Sequence, residues 1–381
     1  MKVRENTKKE FFSNMALAIN SFLLALALLA GGVHAQTFEQ QDVAIFVGDS
    51  MRLSGTLTLP VGVEGDVPAV ILVTGSGAQN RDEELMGHRP FKVIAEYLSS
   101  HGYAVLRCDD RGVGGSTGDM VHATTLDFAN DVQQQVRYLQ GSKELGIDPD
   151  RIYIFGHSEG ACVAAIVAAE NSRAQHPVAG VAMLGGAAVD GKECLLQQNE
   201  AIFRQKGVAD SLVERRLGCM RELFAVLDTL TLKDGTDTVK VINMAFRPIF
   251  KKYGYGLTKE QKQQVGLTTV ECYGWAVSVA TEWMRTFLRL NPAEYIARLR
   301  CPLLAIGGSK DCQVVPTNLQ QIEKICEEHN VACTVCLIKD ANHLGQICVT
   351  GGVEEYSKLG QAPDEEVLKA LIQWLTALNE K

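Results

Sequence analysis

The chain has 381 residues, 46% hydrophobic and 22% charged, with a formal net charge of −8. This is globular composition with no internal repeat or low-complexity tract, and the length allows one large domain or one domain with an insertion. The acidic balance argues against nucleic acid or an anionic membrane surface as a partner.

Residues 1–35 stand apart from the rest. Lys2, Arg4, Lys8 and Lys9 give a positive start, Phe22 to Ala30 form an apolar core, and Val33-His34-Ala35 carries small residues at the last and third-last positions. The pattern reads as a secretory signal cleaved before Gln36. A retained anchor fits less well, because the apolar run falls short of the ~20 residues a span needs. The expectation is an exported protein, periplasmic or extracellular, with no stable membrane insertion after cleavage. Export permits disulfides. Of the eleven cysteines only Cys333 and Cys336 stand in CxxC spacing, with no second such pair to complete a four-ligand set, which gives a zinc or thioredoxin-like site little support, and their odd number leaves at least one thiol unpaired.

DVAIFVG and MRLSGTLTLP alternate apolar and polar residues, as a half-buried antiparallel hairpin does. PAVILVTGSG (68–77) is a continuous apolar run ending in glycines, the mark of a strand buried on both faces. FKVIAEYLSSHG (91–102) is an amphipathic helix closed by glycine. A strand and a glycine-rich loop follow in YAVLRCDDRGVGGSTG, then a helix over 123–141. RIYIFG is a strand, the residues after Ser158 form a helix, and PVAGVAMLGG is another strand. Near the C-terminus come the strand in CPLLAIGGSKD (301–311), a helix over 316–329, the strand ACTVCLIKD and a last helix over 364–379. This alternation predicts an α/β fold with a mostly parallel, doubly wound sheet. Residues 191–300 break the alternation with helical periodicity and no clear buried strand. They are predicted to be a helical cap inserted into a core of 36–190 and 301–381, lying over the strand C-termini where ligands bind.

GHSEG (Gly156 to Gly160) sits between a strand and a helix, where a nucleophile elbow belongs. A bend that tight forces Ser158 into an unfavourable backbone conformation and displays its hydroxyl, and two glycines let strand and helix pass close by. A serine nucleophile needs a base, and the base an orienting acid. His343, in KDANHLG after the last strand, stands where the base belongs in the order Ser…Asp…His. His157 lies inside the elbow and points away from the serine's side; His101 and His329 sit at helix ends. For the acid, Asp311 ends a strand between Ser158 and His343, and Asp190 competes from the end of the preceding one. Asp340 reads as a turn residue. Oxyanion donors are expected from the backbone N–H groups of Glu159 and of Ser76 in TGSGAQNRDE. The Glu159 side chain offsets the helix dipole or, on a sharper reading, binds a substrate amine. DDRGVGGSTG lacks the features of a phosphate loop and reads as structural, with Asp109, Asp110 and Arg111 pairing locally. No H-E-x-x-H or comparable histidine-carboxylate ligand spacing occurs.

GHSEG, DRGVGGSTG, GSKD and NHLG together resemble the α/β-hydrolase superfamily over most of the chain, in its serine-aminopeptidase-like and bacterial carboxylesterase branch. TGSGAQNRDE resembles the HGSGPQDRDE loop of esterases in that branch, except that Thr74 replaces a histidine. The resemblance implies Ser158 as nucleophile, Asp311 as acid, His343 as base, and Ser76 and Glu159 as oxyanion donors, with no cofactor. The expected activity is hydrolysis of a small or medium acyl ester through an acyl-enzyme. A serine peptidase or aminopeptidase with the same triad is the near rival, and a non-catalytic protein binding an acyl ligand is the rival from another class. Trp275, Trp283, Met284 and Phe287 of the cap either line an acyl slot or hold the cap helices together, and the cap acids Glu214, Glu222, Glu260 and Glu271 read as solvated helix positions.

Overall fold

The alternating segments pair first. β1 (Phe38–Val47) and β2 (Met51–Pro60) form an antiparallel hairpin, and β2 continues antiparallel onto β4 (Ala104–Cys108). From there every neighbour is parallel: β4, β3 (Val67–Val73), β5 (Ile147–His157), β6 (Gly180–Leu184), β7 (Leu303–Gly308) and β8 (Cys333–Ile338). This is a computed structural model that describes residues 37–232 and 237–380, so the expected signal segment lies outside the described residues. Phe38 onwards is one compact unit.

The apolar runs of the central strands have a simple cause. On β3, Ala69, Ile71 and Val73 pack into one layer, while Val70 and Leu72 pack into the opposite one. The first layer holds α2 (Thr125–Gly141) and α3 (Glu159–Asn171); the second holds α1 (Pro90–Ser99) and α12 (Glu365–Asn379). With both faces covered, a strand favours apolar side chains at every position. The α3 helix is buried on nearly every side, which suits its alanine-rich sequence, because small side chains let it lie close to β5 and α2.

Between β6 and β7 the chain forms α4 (Gly191–Gln205), α5 (Asp210–Thr229), α6 (Thr238–Gly254), α7 (Lys259–Gln264), α8 (Thr269–Ala280), α9 (Glu282–Arg289) and α10 (Pro292–Ile296), with no strand among the described residues. Leu223, Phe246 and Ala276 form the centre of a core belonging to this insertion. The short α10 instead packs on α3 and α11 (Thr317–His329) and so rejoins the sheet layers. No helix among the described residues is long and apolar enough to cross a membrane. All eleven cysteines are free thiols.

Candidate active site

β5 ends at His157 and α3 begins at Glu159, so Ser158 alone makes the turn, with φ 55° and ψ −118°. Such a conformation is costly for a residue with a Cβ and persists only where its surroundings enforce it. The two glycines do so by proximity. A Cβ on Gly156 would lie 2.1 Å from the Gly160 oxygen, and one on Gly160 would lie 2.2 Å from the Val73 oxygen. The Ser158 N–H donates to the Leu184 carbonyl at 2.9 Å, which fastens the elbow to the end of β6.

His343, in the loop after β8, and Asp311, in the loop after β7, come together at this point. The His343 Nδ1 lies 2.7 Å from the Asp311 Oδ2, and both side chains are buried. The other Asp311 oxygen accepts from the backbone N–H groups of Gln313 and Val314 at 2.8 and 2.9 Å. A carboxylate so placed only accepts, so Nδ1 carries the hydrogen and leaves Nε2 basic. His343 and Ser158 line the same cavity. Asp190, the competing acid, is elsewhere engaged: it caps α4, accepting from the N–H groups of Lys192 and Glu193. Asp340 is a turn residue with φ 57°, paired with Lys310 at 3.0 Å.

The Gly75 N–H donates to the Glu83 Oε1 at 2.7 Å, and Ser76, the next residue of that loop, lines the cavity. Glu159 also lines the cavity and opens α3, where the first N–H groups have no partner within the helix. The loop of Ser76 is held from behind by acids expected to pair locally, and here the structure corrects the sequence reading. Asp109 pairs with Arg81 at 2.8 Å, and Asp110 accepts from the Thr74 hydroxyl at 2.8 Å and the Gln79 N–H at 2.9 Å. Arg111 turns away to Asp131 and Asp127 on α2. Strand ends adjacent in the sheet bring these groups together, which the local sequence does not encode. Thr74, the departure from the resembling loop, is thus one of the loop's anchors. Burial pushes the Asp110 carboxyl up to about 7, against the hydrogen bonds from Gln79 and Thr74.

The Glu159 side chain is buried and does more than offset a helix dipole. It accepts from the Thr125 hydroxyl at 2.6 Å and from the Trp283 Nε1–H at 2.9 and 3.1 Å to its two oxygens. Trp283 stacks on Phe287, ring centroids 5.6 Å apart. With Met284 they form the cap wall of a cavity of about 280 Å³ that also contains Ser76, Ser158 and His343. Trp275 takes the second of the two expected roles: it packs against Phe224, under the Arg216 guanidinium, inside the cap. It repeats the helical spacing of the others but faces the opposite way. Of the cap acids, Glu222 binds Lys252 and Tyr253, Glu271 caps α8, and Glu214 and Glu260 are exposed. Glu83 and the bond from Trp283 to Glu159 were not anticipated; the one available signal was that Glu83 lies within TGSGAQNRDE.

A family model described as alpha/beta hydrolase fold matches residues 68–347. Esterase EstD of Thermotoga maritima is 27% identical over 352 residues, which is 90% of this chain and 69% of that protein. An uncharacterized protein of Mycobacterium tuberculosis is 33% identical over 125 residues, 32% of this chain and 39% of its own length. Among solved structures, esterase B of Lactobacillus rhamnosis, as a tributyrin phosphonate complex, superposes with a TM-score of 0.50 at 15% identity. That match covers 96% of this chain and 94% of the other, and speaks to the fold.

Proposed function

The chain belongs to the alpha/beta hydrolase fold family, and from that premise we propose that it is a serine carboxylesterase acting on small or medium acyl esters. The observation that carries the reading is one cavity holding the elbow serine, a histidine hydrogen-bonded to a buried aspartate, and a mostly apolar cap wall. Similarity to an esterase over nine-tenths of the chain supports the reaction class.

Ser158 Oγ attacks the ester carbonyl while His343 Nε2 takes its proton. Asp311 holds the ring and stabilises the imidazolium that forms. The N–H groups of Ser76 and Glu159 receive the oxyanion. His343 returns the proton to the departing alcohol, leaving an acyl group on Ser158. Water, activated by the same histidine, then releases the acid. A peptidase acting on free N-termini needs an unengaged carboxylate for the substrate amine. The acids lining this cavity, Glu83 and Glu159, are already bonded to protein donors, which favours the ester reading. We further propose export, with cleavage before Gln36. Its support is the leader pattern alone, and N-terminal sequencing from the native host that returned Met1 would overturn it.

The test is labelling with a fluorophosphonate followed by an ester panel. Wild type should be labelled on Ser158 and should cleave p-nitrophenyl butyrate. Ser158→Ala should lose roughly 10⁴-fold or more of the rate. A variant that keeps a tenth of the activity removes the mechanism.

A further inference from the structure

We propose that His157, the residue before the nucleophile, is a doubly protonated imidazolium that acts as a positioning residue, joining the oxyanion loop to the loop of His343 through Glu83. The positioning role rests on the functional reading above; the charge state does not.

The argument begins with donors and acceptors. The His157 Nε2 lies 3.0 Å from the backbone oxygen of His343, and its Nδ1 lies 2.8 Å from the Glu83 Oε1. A carbonyl oxygen only accepts, so Nε2 carries a hydrogen. The Glu83 Oε1 already accepts the Gly75 N–H at 2.7 Å, the arrangement of an ionised carboxylate. A bare Nδ1 at that distance would set one lone pair against another unless Glu83 carried a proton on that same Oε1, which would weaken the oxygen as acceptor of the Gly75 N–H. Both ring nitrogens therefore bear hydrogens, and the ring is cationic.

Burial is nearly complete: His157 is 5% exposed and Glu83 3%. An isolated charge there would be prohibitive, and a hydrogen-bonded pair is the arrangement that permits it. The surrounding charges agree in sign. Glu83 faces the ring from the loop after β3 and Asp311 adds attraction from the loop after β7, while His343 stacks nearby with ring centroids 4.8 Å apart. Glu159 follows on α3, and Asp110, after β4, feels both Glu83 and Glu159. Burial, the largest single influence, would lower the His157 pKa; the charge and hydrogen bond of Glu83, the His343 carbonyl and Asp311 together outweigh it, and the pKa is raised.

One charged ring therefore connects three strand ends. Through Glu83 it fixes the Gly75 amide and hence the direction of the Ser76 N–H. Through its Nε2–H it fixes the backbone of His343. Both elements must sit within a fraction of an ångström for the proposed chemistry, and this ring refers them to the same point.

The experiment is ring-15N NMR of the full chain labelled at histidine, with His157 assigned from the spectrum of His157→Gln. Both His157 nitrogens should carry hydrogens without titrating from about pH 5 to about pH 8, across the ~6.5 at which an ordinary histidine titrates. One unprotonated nitrogen at neutral pH overturns the charge assignment. The paired kinetic test is Glu83→Gln, which keeps the size and the acceptor for Gly75 but removes the negative charge. His157 should then titrate, and kcat on p-nitrophenyl butyrate should fall ~10- to 100-fold with KM within ~3-fold. An unchanged kcat overturns the positioning role. If Glu83→Gln does not fold, the wild-type spectrum still decides the charge, and His157→Gln supplies the same kcat-against-KM reading. A wild type that neither takes the fluorophosphonate nor cleaves esters would sink the functional reading and the positioning role together, while the spectrum would still judge the imidazolium.

Discussion

Gly160→Ala sets two effects of opposite sign against each other. Gly160 is the second residue of α3, and exchanging glycine for alanine within a helix ordinarily gains ~1 kcal/mol. Here the new Cβ would sit 2.2 Å from the Val73 oxygen, 2.5 Å from the Thr74 oxygen and 2.8 Å from the Val73 carbonyl carbon. All three are backbone atoms, so no rotamer relieves the overlap. Reaching ordinary contact requires α3 and the end of β3 to separate by about 1 Å, and such overpacking costs ~1–3 kcal/mol or more. The clash therefore cancels or exceeds the helical gain. The displacement also runs into Thr74 and so into the loop that carries Ser76, and ~1 Å of misplacement at a reacting site costs ~10²-fold in rate. The expected result is a Tm no higher than wild type and a kcat on p-nitrophenyl butyrate lowered ~10²-fold. Gly274→Ala is the control, since Gly274 is exposed in α8 with nothing within 4 Å of its would-be Cβ. It should raise stability by ~0.5–1 kcal/mol with activity intact. If Gly160→Ala stabilises as Gly274→Ala does, or keeps half of the wild-type kcat, the close approach of helix and strand is not what fixes the elbow.

Asp311→Asn should lower kcat by ~10⁴-fold by favouring the wrong histidine tautomer, whereas Asp190→Asn should stay within ~3-fold, since it keeps an acceptor for its helix cap; a larger loss at Asp190 exchanges their roles. Trp283→Phe removes one donor from the Glu159 carboxylate, worth ~1.5–3 kcal/mol for a charged acceptor. The kcat/KM for an amine-bearing ester relative to p-nitrophenyl butyrate should then rise ~10-fold or more, and an unmoved ratio would mean that Glu159 does not govern amine discrimination. Asp110 supplies a pH dependence. Its folded-state pKa is raised from 3.8 to about 7 by burial. Its contribution to stability is therefore complete below about pH 4, is lost as pH rises to about 7, and is level above that. Asp110→Asn should flatten this decline in chemical denaturation followed from about pH 4 to about pH 8. A wild-type-minus-variant difference that does not change with pH counts against the shift.

The elements around the site were legible because their signals are local. The run Arg151 to Phe155, the single serine and the alanine-rich continuation dictate a strand, a bend and a helix from neighbouring residues alone. Asp311 and His343 could be placed because one follows the buried β7 and the other its edge-strand neighbour β8, and parallel strands deliver their C-terminal ends to one edge. What stayed hidden depends on pairs distant in sequence. Glu83 meets His157 across 74 residues and Trp283 meets Glu159 across 124, and nothing in either neighbourhood names the other. Trp275 and Trp283 share a helical spacing, but periodicity gives a face only relative to an axis. The turn between α8 and α9 changes that axis, sending one indole into the cap and the other into the cavity. Asp109 and Arg111 are close in sequence but diverge at the end of β4, which is why the expected local pairing did not form.

The insertion leaves and rejoins the sheet at nearly the same place. The Gly191 N–H donates to the Leu290 carbonyl at 3.2 Å, and the two strands that flank the insertion, β6 and β7, are neighbours in the sheet. A segment whose ends nearly touch can lengthen, shorten or be rebuilt while the strands on either side keep their spacing, because closing a longer loop adds entropy only logarithmically. Its interior is filled by its own apolar residues, so changes there are absorbed before they reach the sheet. Ser158, His343 and Asp311 all lie on chain outside the insertion, whereas Trp283, Met284 and Phe287 lie within it. Drift in the excursion thus alters the cavity wall while Ser158, His343 and Asp311 remain in register, and the two properties can diverge along separate evolutionary lines.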